Sequence, residues 1–281
     1  MEAWRTAPEQ AALMSSARLF FSLMLLSSAA VSHAAEDAKP RVAVLMFDGV
    51  QIIDFAGPYE VFGQAGFDVF TVSRDGKPVT TAMNLQVQPT YRFDDAPSAE
   101  VVVVPGGHVV DAMKDPSTLD WLRRASGQAE QVMSVCTGSF IVASTGMLDG
   151  HAATTFHNQF DAMATQFPEV TIVRDQRWVD AGKIVTSAGL ASGIDTALHV
   201  VARLRGEQKA RDVAMHLEYA WSPSEGFVRG LMADQFLRMP AQPLDLPEGT
   251  KIDEVRSYGD ARHWEKTWQI DSTLAPAELL A

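Results

Sequence analysis

The stretch QVMSVCTGSFIVA, residues 131–143, decides the fold because it joins an apolar, strand-like run to a helix-like run through one turn. The turn holds Cys136, the only cysteine of the 281 residues, and Gly138 follows two places later. This spacing is typical of a nucleophile elbow, in which a sharp turn between strand and helix exposes a reactive side chain. We therefore predict that Cys136 is a nucleophile. The alternative is a buried structural cysteine, since cysteine is among the most buried residue types.

Outward from this stretch, apolar runs of strand length alternate with segments of helical spacing. Strand-like runs occupy residues 41–47, 67–73, 100–107 and 131–135, and hairpins are predicted within 74–93 and 170–188. Helices are predicted over residues 54–66, 116–125, 137–148, 158–166, 191–206 and 207–221. This alternation predicts an α/β fold in which helices cover both faces of a mainly parallel sheet.

The first 34 residues have the pattern of a secretory signal peptide. Arg18 precedes an apolar stretch from Leu19 to Val31, and small residues follow with the spacing of a cleavage site. We therefore expect a periplasmic or secreted protein with no membrane association after signal removal, because the apolar stretch is too short to span a bilayer. The alternative is a buried N-terminal helix.

Composition and charge narrow the classes of partner. The chain is 47% hydrophobic, which suits a globular core, and its formal net charge is −12. Because nucleic-acid binding depends on clustered lysine and arginine, we expect no nucleic-acid partner. We expect one domain over residues 41–221. Residues 222–281 are interpreted as a C-terminal extension that packs on this domain or lies along a partner subunit.

Candidate site residues follow three of the predicted strands. Asp54 comes after the first strand, Gly106 and Gly107 after the valine run, and Cys136 after QVMSV. Ligands of open parallel sheets bind at the carboxyl ends of the strands, so these residues are expected to meet. The N–H groups and dipole of the following helix favour a thiolate, so we expect a lowered pKa for Cys136. Asp54 is either a helix N-cap or a carboxylate that shares a proton with the thiol.

Backbone and side-chain groups near the cysteine could complete a binding site. The N–H groups of Gly106, Gly107 and Thr137 could line an oxyanion-type pocket as well as form turns. Thr137 stands where a histidine directly after the cysteine would have supplied a base. His157, at the start of a predicted helix, is either a substrate-binding residue or a cap, and His108 could lie at the pocket mouth.

Four further histidines have no metal-ligand spacing with one another or with the acids, so we predict no metal site. They are His151, His199, His216 and His263. Glu218 is interpreted as a salt-bridge partner, buried or at an interface, and not as a catalytic residue.

Five segments in order resemble the ThiJ/PfpI superfamily, whose sheet is related to that of class I glutamine amidotransferases. They are FDGVQIIDFAGPYEVF (47–62), VVVVPGG (101–107), SVCTGSFIVASTGMLDGHAATTFH (134–157), TSAGLASGIDTALHVVARL (186–204) and HLEYAW (216–221). The resemblance covers about residues 41–221. It implies a flavodoxin-like three-layer sandwich with a nucleophile elbow, and a homodimer.

Within the superfamily, the D-x-x-G-P-x-E and S-V-C-T-G signatures are similar to those of isonitrile hydratases and of the amidase-like domain of AraC-type regulators. The hydratase resemblance implies Cys136 as nucleophile, Asp54 as acid/base and Thr137 as a supporting residue. It implies a small-molecule substrate, conversion of an isonitrile and water to an N-substituted formamide, and no cofactor. The alternatives are a redox or stress-response protein with an oxidisable Cys136, and a ligand-sensing domain without catalysis.

Overall fold

A computed structural model describes residues 39–174, 176–221, 250–259 and 264–271. The predicted signal peptide, most of the C-terminal extension and His263 lie outside the described residues. No helix within the described part of the chain is both long enough and apolar enough to cross a membrane.

The centre of the fold is a seven-stranded sheet with the order β10-β11-β7-β6-β1-β2-β5. All neighbouring strands in it are parallel except β10 and β11, which form an antiparallel pair at one edge. The strands are β1 (Arg41–Leu45), β2 (Asp68–Ser73), β3 (Val79–Thr80), β4 (Gln86–Val87), β5 (Tyr91–Arg92), β6 (Val101–Val104), β7 (Gln131–Val135), β8 (Ala152–Ala153), β9 (Thr171–Ile172), β10 (Trp178–Asp180), β11 (Ile184–Ser187), β12 (Lys251–Gly259) and β13 (Trp264–Asp271).

Helices cover both faces of this sheet, which confirms the predicted α/β architecture. They are α1 (Ile52–Gln64), α2 (Pro116–Gln128), α3 (Gly138–Ser144), α4 (Phe160–Gln166), α5 (Ser192–Arg205) and α6 (Glu207–His216). Alternate strand residues enter two separate cores. Val42 and Val44 pack with α1, α5 and α6, whereas Ala43 and Leu45 pack with α2 and α3. Both faces are buried, which is why the central strands read as continuous apolar runs.

Several element boundaries differ from the predictions. The helix after Cys136 ends at Ser144, because Gly146 takes a positive φ of 83° that a helix cannot contain. The hairpin expected over 170–188 exists only in its second half, since β9 pairs with β8 in parallel. The hairpin predicted within 74–93 is confirmed as the antiparallel pair β3–β4. The C-terminal extension contains an antiparallel pair, β12–β13, which its weak periodicity did not predict.

Candidate active site

Cys136 lies on a strained turn directly after β7, as the elbow prediction requires. Its φ is 57°, a left-handed conformation that is uncommon for residues with a side chain. Its N–H donates to the carbonyl oxygens of Ser187 (3.2 Å) and Ala188 (3.0 Å) at the end of β11. Its carbonyl oxygen accepts hydrogen bonds from the hydroxyls of Ser139 and Thr155, each at 3.0 Å. Hydrogen bonds to both the N–H and the carbonyl oxygen of Cys136 therefore hold this turn in place. Such support allows a strained backbone conformation to persist at a functional residue.

The elbow depends on a close approach of two backbone segments. A Cβ atom on Gly138 would lie 2.1 Å from the carbonyl oxygen of Val104 and 2.8 Å from that of Pro105. These distances are below any real contact, so only glycine allows the start of α3 to pack against the end of β6. The structure thus confirms that the glycine two places after Cys136 serves close packing.

Asp54 is the carboxylate of the site and is fully buried. It is the third residue of α1, and the N-cap position is held by Gln51, whose side chain makes no capping hydrogen bond. The N-cap interpretation of Asp54 is therefore wrong, because the helix begins two residues earlier than predicted. Its Oδ2 accepts a hydrogen bond of 3.2 Å from the N–H of Gly106. Its Oδ1 has no partner of ordinary length and angle among the described residues.

The thiol of Cys136 and the carboxylate of Asp54 shift each other's ionisation. Burial raises the pKa of Asp54 to about 6, while hydrogen bonding with Gly106, Cys136 and Leu190 opposes this rise. Burial and the negative charge of Asp54 raise the pKa of Cys136 to about 12. The expected lowering of the thiol pKa is therefore wrong, because desolvation and a facing carboxylate outweigh the helix N-terminus. Both shifts favour the protonated forms, so the two groups are not both ionised at neutral pH.

Thr137 supports the thiolate form of its neighbour. Hydrogen bonding with both the backbone N–H and the side chain of Thr137 lowers the pKa of Cys136, although less than burial and Asp54 raise it. The Thr137 hydroxyl also donates to the carbonyl of Gly107 (3.0 Å) and accepts from the Gly107 N–H (2.9 Å). These contacts join the loop after β6 to the elbow. Thr137 thus lies beside the thiol, where the sequence places it.

In the loop after β6, the N–H groups of Gly106 and Gly107 donate to other residues of the protein. The N–H of Gly106 is used by Asp54 and that of Gly107 by Thr137. Both N–H groups therefore have protein partners, and the oxyanion-type pocket suggested for Gly106, Gly107 and Thr137 stays a prediction. Gly106 is also required for close approach, because a Cβ there would lie 2.7 Å from the nitrogen and hydroxyl of Thr137 and 2.9 Å from Asp54 Oδ2.

Two other candidate residues, His157 and Glu218, are exposed. His157 is exposed on a single 3₁₀ turn, with its ring 4.3 Å from that of Phe156. Phe156 packs against the core cluster that includes Cys136. Glu218 is exposed and forms no ion pair with a described residue, so it is not buried as suggested. The adjacent Tyr219 donates a 2.8 Å hydrogen bond to the buried Asp195 instead.

Sequence reasoning missed the residues that form hydrogen bonds with the Cys136 backbone and with Asp54. Thr155 and Ser139 are buried and donate to the Cys136 carbonyl, and the N–H of Leu190 acts on Asp54. Threonine and serine near a predicted nucleophile are a weak signal, because nothing local shows which backbone oxygen a hydroxyl reaches. Within the described part of the chain, no group of three or more His, Cys, Asp or Glu side chains is arranged to hold a metal ion.

The protein has a mainly parallel α/β sandwich fold, and its strained cysteine elbow lies beside a buried carboxylate. These features place it among the α/β proteins that have a cysteine at the nucleophile elbow. More narrowly, the chain belongs to the DJ-1/PfpI family, whose family model matches residues 40–203. This confirms the resemblance to the ThiJ/PfpI superfamily.

Individual relatives differ in what they do. The chain is 37% identical over 188 residues to an isonitrile hydratase of Pseudomonas putida, covering 65% of this chain and 80% of that protein. It is 28% identical over 174 residues to the transcriptional regulator GbdR of Pseudomonas aeruginosa, of which it spans only 47%. A solved ThiJ/PfpI family protein from Pseudomonas syringae superposes with a TM-score of 0.61 at 28% identity, covering 71% of this chain and 85% of that one.

Proposed function

We propose that this protein is a cysteine-dependent enzyme that adds water to an isonitrile, giving an N-substituted formamide. The observation that carries the proposal is the buried pair of Cys136 and Asp54, a thiol and a carboxylate that shift each other's pKa. The 37% identical isonitrile hydratase supports the choice of reaction. Thr137 in place of a histidine disfavours hydrolysis of peptides or glutamine.

The first step joins the sulfur of Cys136 to the terminal carbon of the isonitrile. Asp54, ionised above about pH 6, takes the thiol proton as the S–C bond forms and returns it to the same carbon. The product is a thioimidate in which that carbon carries hydrogen, sulfur and a double bond to nitrogen. The hydrogen bond from the backbone N–H of Thr137 stabilises the thiolate character that develops on sulfur.

The second step releases the product. A water molecule oriented by the Asp54 carboxylate attacks the thioimidate carbon, and one of its protons goes to the substrate nitrogen. The C–S bond then breaks, the sulfur recovers a proton, and the N-substituted formamide leaves. Neither step requires an oxidant, a reductant or a metal ion.

The margin of the site suits a small apolar substituent on the isonitrile nitrogen. Leu190, whose N–H donates toward Asp54, is a large apolar residue with 40% of its surface exposed. Contact between Leu190 and the substituent would remove apolar surface from water.

The redox alternative also requires the thiolate of Cys136, which burial and the charge of Asp54 disfavour. We prefer the hydratase because a 37% identical relative is an isonitrile hydratase. The ligand-sensing alternative is favoured by the similarity to GbdR, although the shared part is only about half of that regulator.

We also propose export to the periplasm or medium and a homodimer. Sequencing of the mature N-terminus, expected near Ala35, and the mass in solution test these two points.

The decisive assay incubates the purified protein with a simple alkyl isonitrile and follows the formamide by mass spectrometry. We expect turnover by the wild type, none by Cys136→Ala, and a large loss in Asp54→Asn. Ser144→Ala, which removes a hydroxyl from the far end of α3, is the matched control and should retain activity. Absence of turnover in the wild type, or equal turnover in Cys136→Ala, would reject the hydratase.

A further inference from the structure

A cavity lies near the start of β7, at the opposite end of that strand from Cys136. Its volume is about 360 Å³, at the lower end of the range for small-molecule pockets. Val132, the second residue of β7, and Ile184, the first residue of β11, form part of its wall, together with Met147 after α3. The cavity is therefore at the amino ends of the strands, whereas the elbow is at their carboxyl ends.

The charged side chains that line this cavity, Arg123 and Lys183, are both basic. Arg123, His151 and Lys183 line it, and no aspartate or glutamate does. Such a lining is unexpected in a chain whose net charge is −12. Arg123 is partly engaged, because its guanidinium donates to Asp120 (2.8 Å) on the exposed side of α2 and to the carbonyl of Thr145 (3.3 Å). Lys183 has no ion-pair partner among the described residues.

A buried polar group in the wall is also unsatisfied. Ser126, near the end of α2, is only 3% exposed, and its hydroxyl has no hydrogen-bond partner among the described residues. A buried hydroxyl without a partner destabilises the folded state, and a bound polar group can remove this cost. The cavity thus combines an apolar wall, a basic margin and an unused hydroxyl.

We propose that this cavity binds a small carboxylic acid with an apolar body. The apolar part would contact Val132, Met147 and Ile184, and the carboxylate would face Lys183 and Arg123. The reason is complementarity, since an apolar wall with cationic margins matches a molecule that has one apolar end and one anionic end. This site is independent of the Cys136 chemistry and does not rest on the proposed hydratase activity.

The test titrates the full-length protein with hexanoate, with hexanol and hexylammonium as uncharged and cationic counterparts, and follows backbone amide signals by NMR. We expect saturable shifts at Gly127, Met147 and Lys183 for hexanoate, weaker ones for hexanol, and none for hexylammonium. Lys183→Gln should weaken hexanoate binding by about two- to fivefold, the range for one exposed ion pair. Lys114→Gln removes an exposed lysine outside the cavity and should change nothing.

A second variant blocks the cavity without unfolding the protein. A Cβ atom on Gly127 meets no heavy atom within 4 Å, and leucine is a better helix former than glycine, so Gly127→Leu should fold and exclude hexanoate. The proposal is overturned if hexanoate gives no saturable shifts, if hexanol or hexylammonium binds as well as hexanoate, or if Gly127→Leu binds it unchanged.

Discussion

Replacing Asp54 with asparagine should make the protein more stable and less active. The carboxylate is fully buried, and its pKa rises from 3.8 to about 6 on folding. The folded state therefore disfavours the ionised form. Asparagine has nearly the same shape, can accept the Gly106 N–H through its oxygen, and removes the charge.

The magnitude follows from the shift in pKa. At about 1.4 kcal/mol per pKa unit, keeping Asp54 ionised at pH 7 costs the folded protein about 3 kcal/mol. The sign is set by the raised pKa, because the folded state binds the proton more tightly than the unfolded chain. Stability contributed by this group is present below about pH 4 and is lost as the pH rises through 6.

The assay is chemical unfolding of both proteins in guanidinium chloride between pH 4 and pH 8. The free energy of unfolding of Asp54→Asn, relative to wild type, should grow by up to about 3 kcal/mol between pH 4 and pH 7 and then remain level. Asp68→Asn removes an exposed carboxylate from β2 and should show a difference within about 0.5 kcal/mol at every pH. A difference for Asp54→Asn that stays constant with pH would refute the reasoning, because it would mean that burial does not oppose this charge.

Three further outcomes are expected. The kcat/KM of isonitrile hydration should rise about tenfold per pH unit below pH 6 and level off above it, since Asp54 must be ionised; a flat profile would contradict its role as base. Thr155→Val should lower stability by about 1 kcal/mol and reduce kcat, whereas Thr165→Val, on an exposed hydroxyl, should do neither. Gly106→Ala should abolish turnover and lower stability by about 1–3 kcal/mol, because the added methyl group clashes with Thr137 and Asp54. In Gly63→Ala the added methyl group meets no atom within 4 Å, so this control should be neutral or stabilising. Equal effects of both changes would refute the packing argument.

The fold was largely predictable because its signals are local. Uninterrupted apolar runs such as VVVV at 101–104 indicate strands buried on both faces, and Gly138 after Cys136 indicates the elbow. The exact start of α1 was less predictable. Asp54 has the ordinary appearance of an N-cap, but the helix begins at Ile52, and a difference of two residues turns the carboxylate into the core.

The ionisation of the site was not predictable from spacing. A helix after the cysteine suggested a lowered thiol pKa, and only the packed structure shows that burial and Asp54 together raise it to about 12. Electrostatic effects depend on the distance and desolvation of groups that are far apart in sequence. Cys136 and Asp54 are separated by 82 positions along the chain.

The sequence by itself determined the alternation of strands and helices, the elbow at Cys136 and the family resemblance, because each depends on neighbouring residues. Tertiary structure alone decided which groups meet. It brought Asp54 to the thiol, directed the Gly106 and Gly107 N–H groups to protein partners, and placed Thr155 behind the elbow. QVMSVCTGSFIVA therefore specifies where a reactive cysteine stands, while the protonation of that cysteine is set by residues that only folding brings beside it.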